Sequence, residues 1–229
     1  MLKALRRLLP REEFLYFGDT ARVPYGGKPL AMVRRFAWEI AGFLLRQGVK
    51  AIVVACNTAS SAALPDLAED LSVPVFGVVE PAARAARGFR KVGLIGTQAT
   101  VESGAYPRYV DLAWAKACPL FVPLVEEGLW DDPVALLVAR HYLEDAPKDL
   151  EALILGCTHY PFLKGAIGAV LPGVALLDSA ELTAQEAEVE RALQRSLREL
   201  EKVSGMRREE AEHLLLDRIE KSFQSEKAE

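Results

Sequence analysis

The sequence predicts an α/β fold with two pseudo-symmetric lobes, each built on a mainly parallel sheet, and a site in the cleft between them. Apolar runs of strand length alternate with amphipathic stretches of helical length through most of the 229 residues, as in parallel sheets covered by helices. One pattern occurs twice, because residues 50–60 read KAIVVACNTAS and residues 151–161 read EALILGCTHYP. Each is an apolar run that ends in a small residue, a cysteine and polar groups, which indicates a buried strand with reactive groups at its carboxyl end.

The order of predicted elements also repeats between the two halves. In the second half, strands and helices are predicted in turn at residues 89–97, 101–116, 118–125, 134–143 and 153–156. In the first half, a helix, a strand, a helix and a strand are predicted at residues 2–9, 13–18, 30–47 and 51–55. The last strand of each half is followed by a cysteine, Cys56 or Cys157, so the two thiols occupy matching positions.

The first half lacks the strand that opens the second half. Loss of a strand from a covered parallel sheet would expose hydrogen-bonding groups and apolar surface. We therefore expect Met1 to be an internal position of a longer natural chain. The alternative is a protein that begins with its first helix and has one strand fewer.

The lobe boundaries are predicted from the two segments that join the halves. Residues 76–81 are expected to cross into the second lobe and residues 175–180 to return from it. The first lobe then comprises residues 1–79 and 178–229, and the second comprises residues 80–177. From Glu181 onward, Glu, Arg, Leu and Gln at helical spacing predict one or two amphipathic helices that pack back on the first lobe.

Composition restricts the class of protein. With 51% hydrophobic and 26% charged residues, the chain reads as globular and not as disordered or fibrous. A net charge of −4 and the lack of a Lys/Arg cluster argue against a nucleic-acid partner. The apolar runs fall short of the roughly 20 residues of a membrane helix, and the first ten residues do not read as a signal peptide. We therefore expect a cytoplasmic protein without a membrane partner.

Cys56 and Cys157 stand in polar surroundings that suit proton transfer. Asn57 and Thr58 follow the first thiol, and the sequence THY follows the second; these groups can hold an amino or carboxylate group beside the sulfur. A helix that begins after each strand would lower the thiol pKa from about 8.5 toward neutrality. The two thiols could then face each other across one substrate atom, one removing a proton and the other supplying one.

The same patterns allow other interpretations. A lone buried cysteine is most often an apolar filler, and Cys118, which lacks polar neighbours, is expected in the core. The two repeat cysteines could bind zinc with His159, but no fourth ligand is evident, and neither a metal nor a cofactor is expected. Residues 92–97 lack the GxGxxG of a dinucleotide loop and read as a strand and turn. Asp19 and Arg22 either form an ion pair that shapes the following loop or contact the substrate.

Four motifs together carry a family resemblance. They are FGDTARVPYG at residues 17–26, ACNTAS at residues 55–60, PLVEEG at residues 123–128 and GCTHYP at residues 156–161. In this order and with these separations, they resemble the glutamate racemases of the cofactor-independent aspartate/glutamate racemase superfamily. The resemblance covers roughly residues 1–190 and implies interconversion of L- and D-glutamate, which supplies D-glutamate for bacterial peptidoglycan. It also implies a homodimer.

The resemblance further implies roles for individual residues. Cys56 and Cys157 would be the two acid/base thiols, assisted by His159 and by a glutamate that we take as Glu126 in preference to Glu127. The remaining substrate-binding residues would be Tyr25, Gly26, Asn57, Thr58 and Thr158, with His159 contributing to binding as well.

One feature departs from the family pattern. The family opens with a strand that ends in an Asp-Ser-Gly loop beside the first cysteine, and this chain contains no such loop before Cys56. Two alternatives to a glutamate racemase therefore stay open. One is a racemase of the same superfamily for another amino acid or a hydantoin, and the other is a catalytically impaired chain that serves as a binding module.

Overall fold

A computed structural model describes the backbone of residues 1–204 and the side chains of residues 1–191. The chain divides into two compact units, Met1–Ala184 and Gln185–Glu229. The described strands all lie in the first unit and are β1 (Ile52–Val53), β2 (Val75–Phe76), β3 (Val92–Gly96), β4 (Trp114–Ala117), β5 (Ala152–Gly156) and β6 (Ala175–Asp178). The described α-helices are α1 (Leu2–Leu8), α2 (Leu30–Arg46), α3 (Asn57–Asp70), α4 (Val79–Ala86), α5 (Gln98–Glu102), α6 (Phe121–Glu126), α7 (Pro133–Leu143), α8 (Lys164–Val170) and α9 (Ser179–Ser204), and short 3-10 helices lie at Tyr106–Arg108 and Tyr160–Leu163.

The strands form two parallel sheets, as the sequence predicts. Strands β1 and β2 pair in the first sheet, and the second sheet has the order β4-β3-β5-β6. Every strand pair is parallel. The chain therefore has the predicted α/β architecture with its sheets in two groups.

The register of the second sheet positions the residues that follow its central strands. Gly96 at the end of β3 pairs with Gly156 at the end of β5. A Cβ at Gly156 would lie 2.8 Å from the carbonyl oxygen of Ile95, so only glycine permits this approach of the two strands. Thr97 and Cys157 therefore leave the sheet side by side.

Strands β3 and β5 are buried along their whole length. On one face, Ile95, Leu153 and Leu155 belong to a core that includes Phe121, Tyr142 and Ile167. On the other face, Val92, Leu94 and Ile154 pack in a core with Val79, Ala82 and Tyr106. Because helices cover both faces, the strands are continuous apolar runs without polar alternation.

Most predicted elements are confirmed, although their ends shift by up to three residues. The confirmed elements are the helices at residues 2–9, 30–47 and 134–143 and the strands at residues 51–55, 89–97 and 153–156. The helix predicted from Glu181 is also present, as α9, through residue 204. Residues 205–229, where the predicted C-terminal helices would continue, lie outside the described residues.

The helix predicted at residues 101–116 is wrong. Helix α5 ends at Glu102, and Gly104 adopts a φ of 64°, a left-handed conformation that ends helices. The chain then forms the 3-10 turn that contains Pro107 before it enters strand β4.

The strand predicted at residues 118–125 is wrong as well. These residues enter helix α6, and the buried side chains are Phe121, Leu124 and Val125. Their spacing of three and four residues is the helical period, whereas a strand would bury alternate residues. The high content of apolar residues concealed this difference.

The strand predicted at residues 13–18 is also wrong. Its composition suits a strand, but no strand among residues 1–204 pairs with it. Phe14, Leu15, Tyr16 and Phe17 are between 37% and 73% exposed. The segment therefore lies at the surface of the first unit and pairs with none of the described strands.

The return segment at residues 175–180 contains a strand that the sequence analysis did not identify, because residues 175–178 form β6 beside β5. The division into lobes of residues 1–79 with 178–229 and of residues 80–177, and the packing of the C-terminal helices on the first lobe, stay predictions. In the described part of the chain, no helix is both long enough and apolar enough to cross a membrane.

Candidate active site

Cys56 lies where the first sheet passes into helix α3. It is the residue immediately before the helix and is partly buried. The backbone N–H groups of Ala59 and Thr58 and the hydroxyl of Thr58 lie beside its sulfur and lower the pKa of the thiol. The strand therefore delivers the thiol directly to the open N–H groups of a helix start.

Cys157 occupies the equivalent place in the second sheet. It follows strand β5 directly and is only 6% exposed. The backbone N–H groups of His159, Tyr160 and Thr158 donate to its sulfur. Both predicted thiols thus lie at strand ends among backbone donors.

The prediction that these thiols have a pKa near neutrality is wrong. Burial raises the pKa of both thiols, and it raises that of Cys157 to about 12, although the backbone donors act in the opposite direction. The charge of Cys56 also raises the pKa of Cys157, because the two sulfur atoms are close enough to repel each other when both are ionised. Both thiols therefore lie in surroundings that favour their protonated forms.

A chain of side chains leads from Cys157 to the surface. Nδ1 of His159 lies 3.7 Å from Sγ of Cys157, and Nε2 of His159 contacts Oε1 of Glu126. The side chain of His159 is 29% exposed and that of Glu126 is 66% exposed. Glu126 is the last residue of helix α6, whereas Glu127 caps that helix and is exposed.

The loop that carries Tyr25 and Gly26 is held by an ion pair. Asp19 accepts hydrogen bonds from the hydroxyl of Tyr25 and from Nε of Arg22, the latter at 2.9 Å. The Arg22 guanidinium also lies 4.3 Å from the centre of the Phe36 ring, a favourable contact between a cation and an aromatic face. Asp19 and Arg22 therefore form the ion pair that the sequence analysis considered for this loop.

Gly26 brings this loop against the second sheet. Its carbonyl oxygen accepts a hydrogen bond from the backbone N–H of Ala99 at 3.1 Å. A Cβ at this position would lie 2.6 Å from Cγ2 of Thr97. The absence of a side chain at Gly26 is what allows the loop to reach the end of strand β3.

Three buried threonine hydroxyls meet beside Cys56. Oγ1 of Thr58 lies 3.0 Å from Oγ1 of Thr97 and 3.3 Å from Oγ1 of Thr100, and the last two hydroxyls are 3.0 Å apart. Thr58 is among the residues predicted from the sequence, whereas Thr97 and Thr100 are not. The available signal was the Gly-Thr pair after β3, which matches the Gly-Cys pair after β5.

Asn57 presents an unpaired donor in the same place. Its side chain is 2% exposed, and Oδ1 accepts a hydrogen bond of 2.6 Å from the hydroxyl of Tyr106. Nδ2 is buried without a hydrogen-bond partner, which costs free energy unless a bound group accepts from it. Tyr106 was also missed by the sequence analysis, because it lies in the segment wrongly predicted as a long helix.

The other candidate residues are placed as follows. Thr158 directly follows Cys157 and directs its backbone N–H to that sulfur. Cys118 is fully buried after strand β4, within the core of the second sheet, as predicted. Among residues 1–191, no group of three or more His, Cys, Asp or Glu side chains is arranged to hold a metal ion.

Comparison with known proteins finds relatives over most of the chain. A family model described as Asp/Glu/Hydantoin racemase matches residues 1–187. A glutamate racemase of Thermus thermophilus is 97% identical over 194 residues, which are 85% of this chain and 75% of that protein. The glutamate racemase of Aquifex aeolicus is 47% identical over 192 residues, covering 81% of this chain and 76% of that protein.

Solved structures give the same result. The crystal structure of glutamate racemase from Thermus thermophilus in complex with beta-chloro-D-alanine has a TM-score of 0.81 at 98% identity and covers 84% of this chain and 75% of its own. The structure of glutamate racemase from Francisella tularensis in complex with D-glutamate has a TM-score of 0.78 at 37% identity and covers 82% of this chain and 74% of its own.

The raised pKa of Cys157 leads to a pH prediction. Only the thiolate is alkylated at a useful rate, and with a pKa of about 12 the thiolate fraction keeps rising up to that pH. We expect the alkylation rate of Cys157 by iodoacetamide, followed by peptide-resolved mass spectrometry, to rise about tenfold per pH unit from pH 7 to pH 10. The same peptide in denatured protein should level off near a pKa of about 8.5. An alkylation rate of Cys157 that levels off below pH 9 in the folded protein would contradict the raised pKa of this thiol.

Proposed function

The chain belongs to the Asp/Glu/Hydantoin racemase family and is an amino-acid racemase, and we propose that it interconverts L- and D-glutamate with Cys56 and Cys157 as its two acid/base groups. The two relatives at 97% and 47% identity are both glutamate racemases, which supports glutamate over the other substrates of the family. The observation that carries the mechanism is the pair of thiols at matching strand ends, close enough for the charge of one to affect the other.

Racemisation requires proton transfer on both faces of the substrate Cα. In the proposed mechanism, one cysteine thiolate removes the α-proton from one face while the other cysteine, as a thiol, donates its proton to the opposite face. The configuration inverts, and the two sulfur atoms exchange protonation states. The reverse reaction uses the same two groups in exchanged roles, so each cysteine serves as the base in one direction.

Burial makes the required thiolate costly, and the site contains groups that offset this cost. The backbone N–H groups around each sulfur stabilise a thiolate and lower its pKa. The ammonium group of a bound glutamate would add a positive charge beside the sulfur and lower the thiol pKa further. We therefore infer that substrate binding generates the reactive thiolate, which is scarce without substrate.

His159 and Glu126 provide a route for protons at Cys157. With Nδ1 facing the sulfur and Nε2 contacting the carboxylate, His159 can take a proton from the thiol while Glu126 stabilises the imidazolium. Because Glu126 is exposed, the route ends in solvent. We propose that it resets Cys157 between turnovers.

Neutral donors are available for the two carboxylates of glutamate. We propose that the hydroxyls of Thr58, Thr97 and Thr100 exchange their present hydrogen bonds for bonds to one carboxylate of the substrate beside Cys56. Nδ2 of Asn57 would bind the α-carboxylate, on which negative charge increases as the α-proton leaves. The remaining substrate contacts are assigned to Tyr25, Gly26, Thr158 and His159.

The proposed activity also suggests a cellular role. D-Glutamate produced by the reaction would supply peptidoglycan synthesis and hence cell-wall biogenesis and cell shape. The binding partner of the protein is then a small molecule, glutamate. The proposed mechanism uses only side-chain and backbone groups of the chain. A homodimer is proposed on the family resemblance alone, and the cytoplasmic location expected from the sequence stays a proposal.

Exchange of the substrate α-proton tests the proposed function. We expect the chain to exchange the α-proton of both L- and D-glutamate in D₂O, as measured by proton NMR. Because two-base catalysis needs both thiols, Cys56→Ser and Cys157→Ser should each lower racemisation by at least about a hundredfold. Cys118→Ala serves as the matched control, since that thiol lies in the core, and should retain activity.

Two results would contradict the proposed function. The first is a folded chain that exchanges neither isomer, which would favour a binding module. The second is a loss in Cys118→Ala as large as in the other two variants. Exchange of another amino acid or of a hydantoin in preference to glutamate would identify a different racemase of the same family.

The proton route predicts unequal effects for two adjacent glutamates. We expect Glu126→Gln to lower kcat about tenfold, because the His159 imidazolium loses its charged partner. Glu127→Gln removes the same charge one residue away and should stay within about twofold of the unchanged protein. The measurement is kcat in both directions by circular dichroism of glutamate. Equal losses in the two variants would show that Glu126 acts only through its charge.

A further inference from the structure

Tyr106 connects the two halves of the candidate site. It is fully buried and begins the 3-10 turn after helix α5, in the part of the chain that packs on the second sheet. A Cβ at Gly156, the residue before Cys157, would lie 3.6 Å from Cε2 of its ring. Burial and the charge of Cys157 raise the pKa of its hydroxyl, which therefore stays protonated as a donor.

The hydroxyl of Tyr106 reaches across to the Cys56 half of the site. It donates a hydrogen bond of 2.6 Å to Oδ1 of Asn57, the residue that follows Cys56. Because Oδ1 faces the tyrosine hydroxyl, Nδ2 on the other side of the amide points away from it. Nδ2 is the buried donor that has no hydrogen-bond partner. The reversed amide would leave three groups unpaired, namely Oδ1, one N–H of Nδ2 and the tyrosine O–H.

We propose that Tyr106 is a positioning residue that fixes the orientation of the Asn57 amide, so that Nδ2 is held ready to donate to the substrate carboxylate. This inference rests on the proposed function, because it assigns Asn57 to glutamate binding. Tyr106 itself does not contact the substrate in this scheme. Its effect passes through the hydrogen bond to Asn57.

A double-mutant cycle tests this coupling. Tyr106→Phe removes only the hydroxyl and should lower kcat/KM for glutamate about tenfold, and Asn57→Ala should lower it by at least as much. If Tyr106 acts through Asn57, Tyr106→Phe should cause no further loss in the Asn57→Ala background. Losses that multiply in the double variant, or no loss in Tyr106→Phe, would overturn the proposal.

Tyr142→Phe is the matched control for the loss of a buried hydroxyl. The hydroxyl of Tyr142 accepts a hydrogen bond from the backbone N–H of Leu120 at 3.1 Å, within the core of the second sheet and away from Asn57. We expect the Tyr142→Phe variant to have a lower denaturation midpoint and an unchanged kcat/KM. A loss of kcat/KM in this variant equal to that in Tyr106→Phe would show that any buried hydroxyl has the same effect and would overturn the proposal.

Two further measurements keep the outcome decisive. If the unchanged chain does not racemise glutamate, the proposed activity fails. The same four variants are then compared by their dissociation constants for D-glutamate, measured by calorimetry. Binding free-energy losses that add up in the double variant, or no binding by the unchanged chain, overturn the positioning role. If Tyr106→Phe does not fold, side-chain amide NMR of the unchanged protein decides. The Nδ2 protons of Asn57 should shift on addition of D-glutamate, and Nδ2 protons that stay unshifted at saturating D-glutamate would overturn the proposal.

Discussion

Burial of two sulfur atoms in one site is the constraint on which the rest of the structure depends. A thiolate in such a place loses its hydration, and burial accordingly raises the pKa of both Cys56 and Cys157. In such surroundings a hydrogen-bond donor acts more strongly on a thiolate than it would in solvent. The surrounding groups then have to stabilise one thiolate at a time without exposing it.

The fold meets this constraint through the ends of parallel strands. Each strand end passes into a turn or helix start whose backbone N–H groups point at the sulfur, so the stabilising donors come from the main chain. The close pairing of Gly96 with Gly156 brings Thr97 beside Cys157, and Gly26 lets the Tyr25 loop reach the same edge. Because strand pairing, helix starts and the hydrogen bonds of the Tyr25 loop hold these groups in place, the site is organised before a substrate enters.

Sequence reasoning was successful where the signal was local and unsuccessful where it depended on neighbours in space. The places of Cys56 and Cys157 at strand ends could be predicted because each follows an apolar run within a few residues. Thr97, Thr100 and Tyr106 reach the site only through strand register and the turn at Gly104, which a wrongly predicted helix concealed. The prediction of a lowered thiol pKa was wrong for a similar reason. The helix start after each cysteine could be predicted from the sequence, but the burial of the thiols could not.

The central claim is that both sulfur atoms address one substrate carbon from opposite sides. A crystal structure of the chain with bound D-glutamate measures this most directly. We expect the Cα of the ligand to lie between the two sulfur atoms, with Cys56 on one face and Cys157 on the other, each within about 3.5 Å or slightly more. A ligand with both sulfur atoms on the same face of Cα, or with one sulfur beyond the reach of proton transfer, would contradict the two-thiol mechanism.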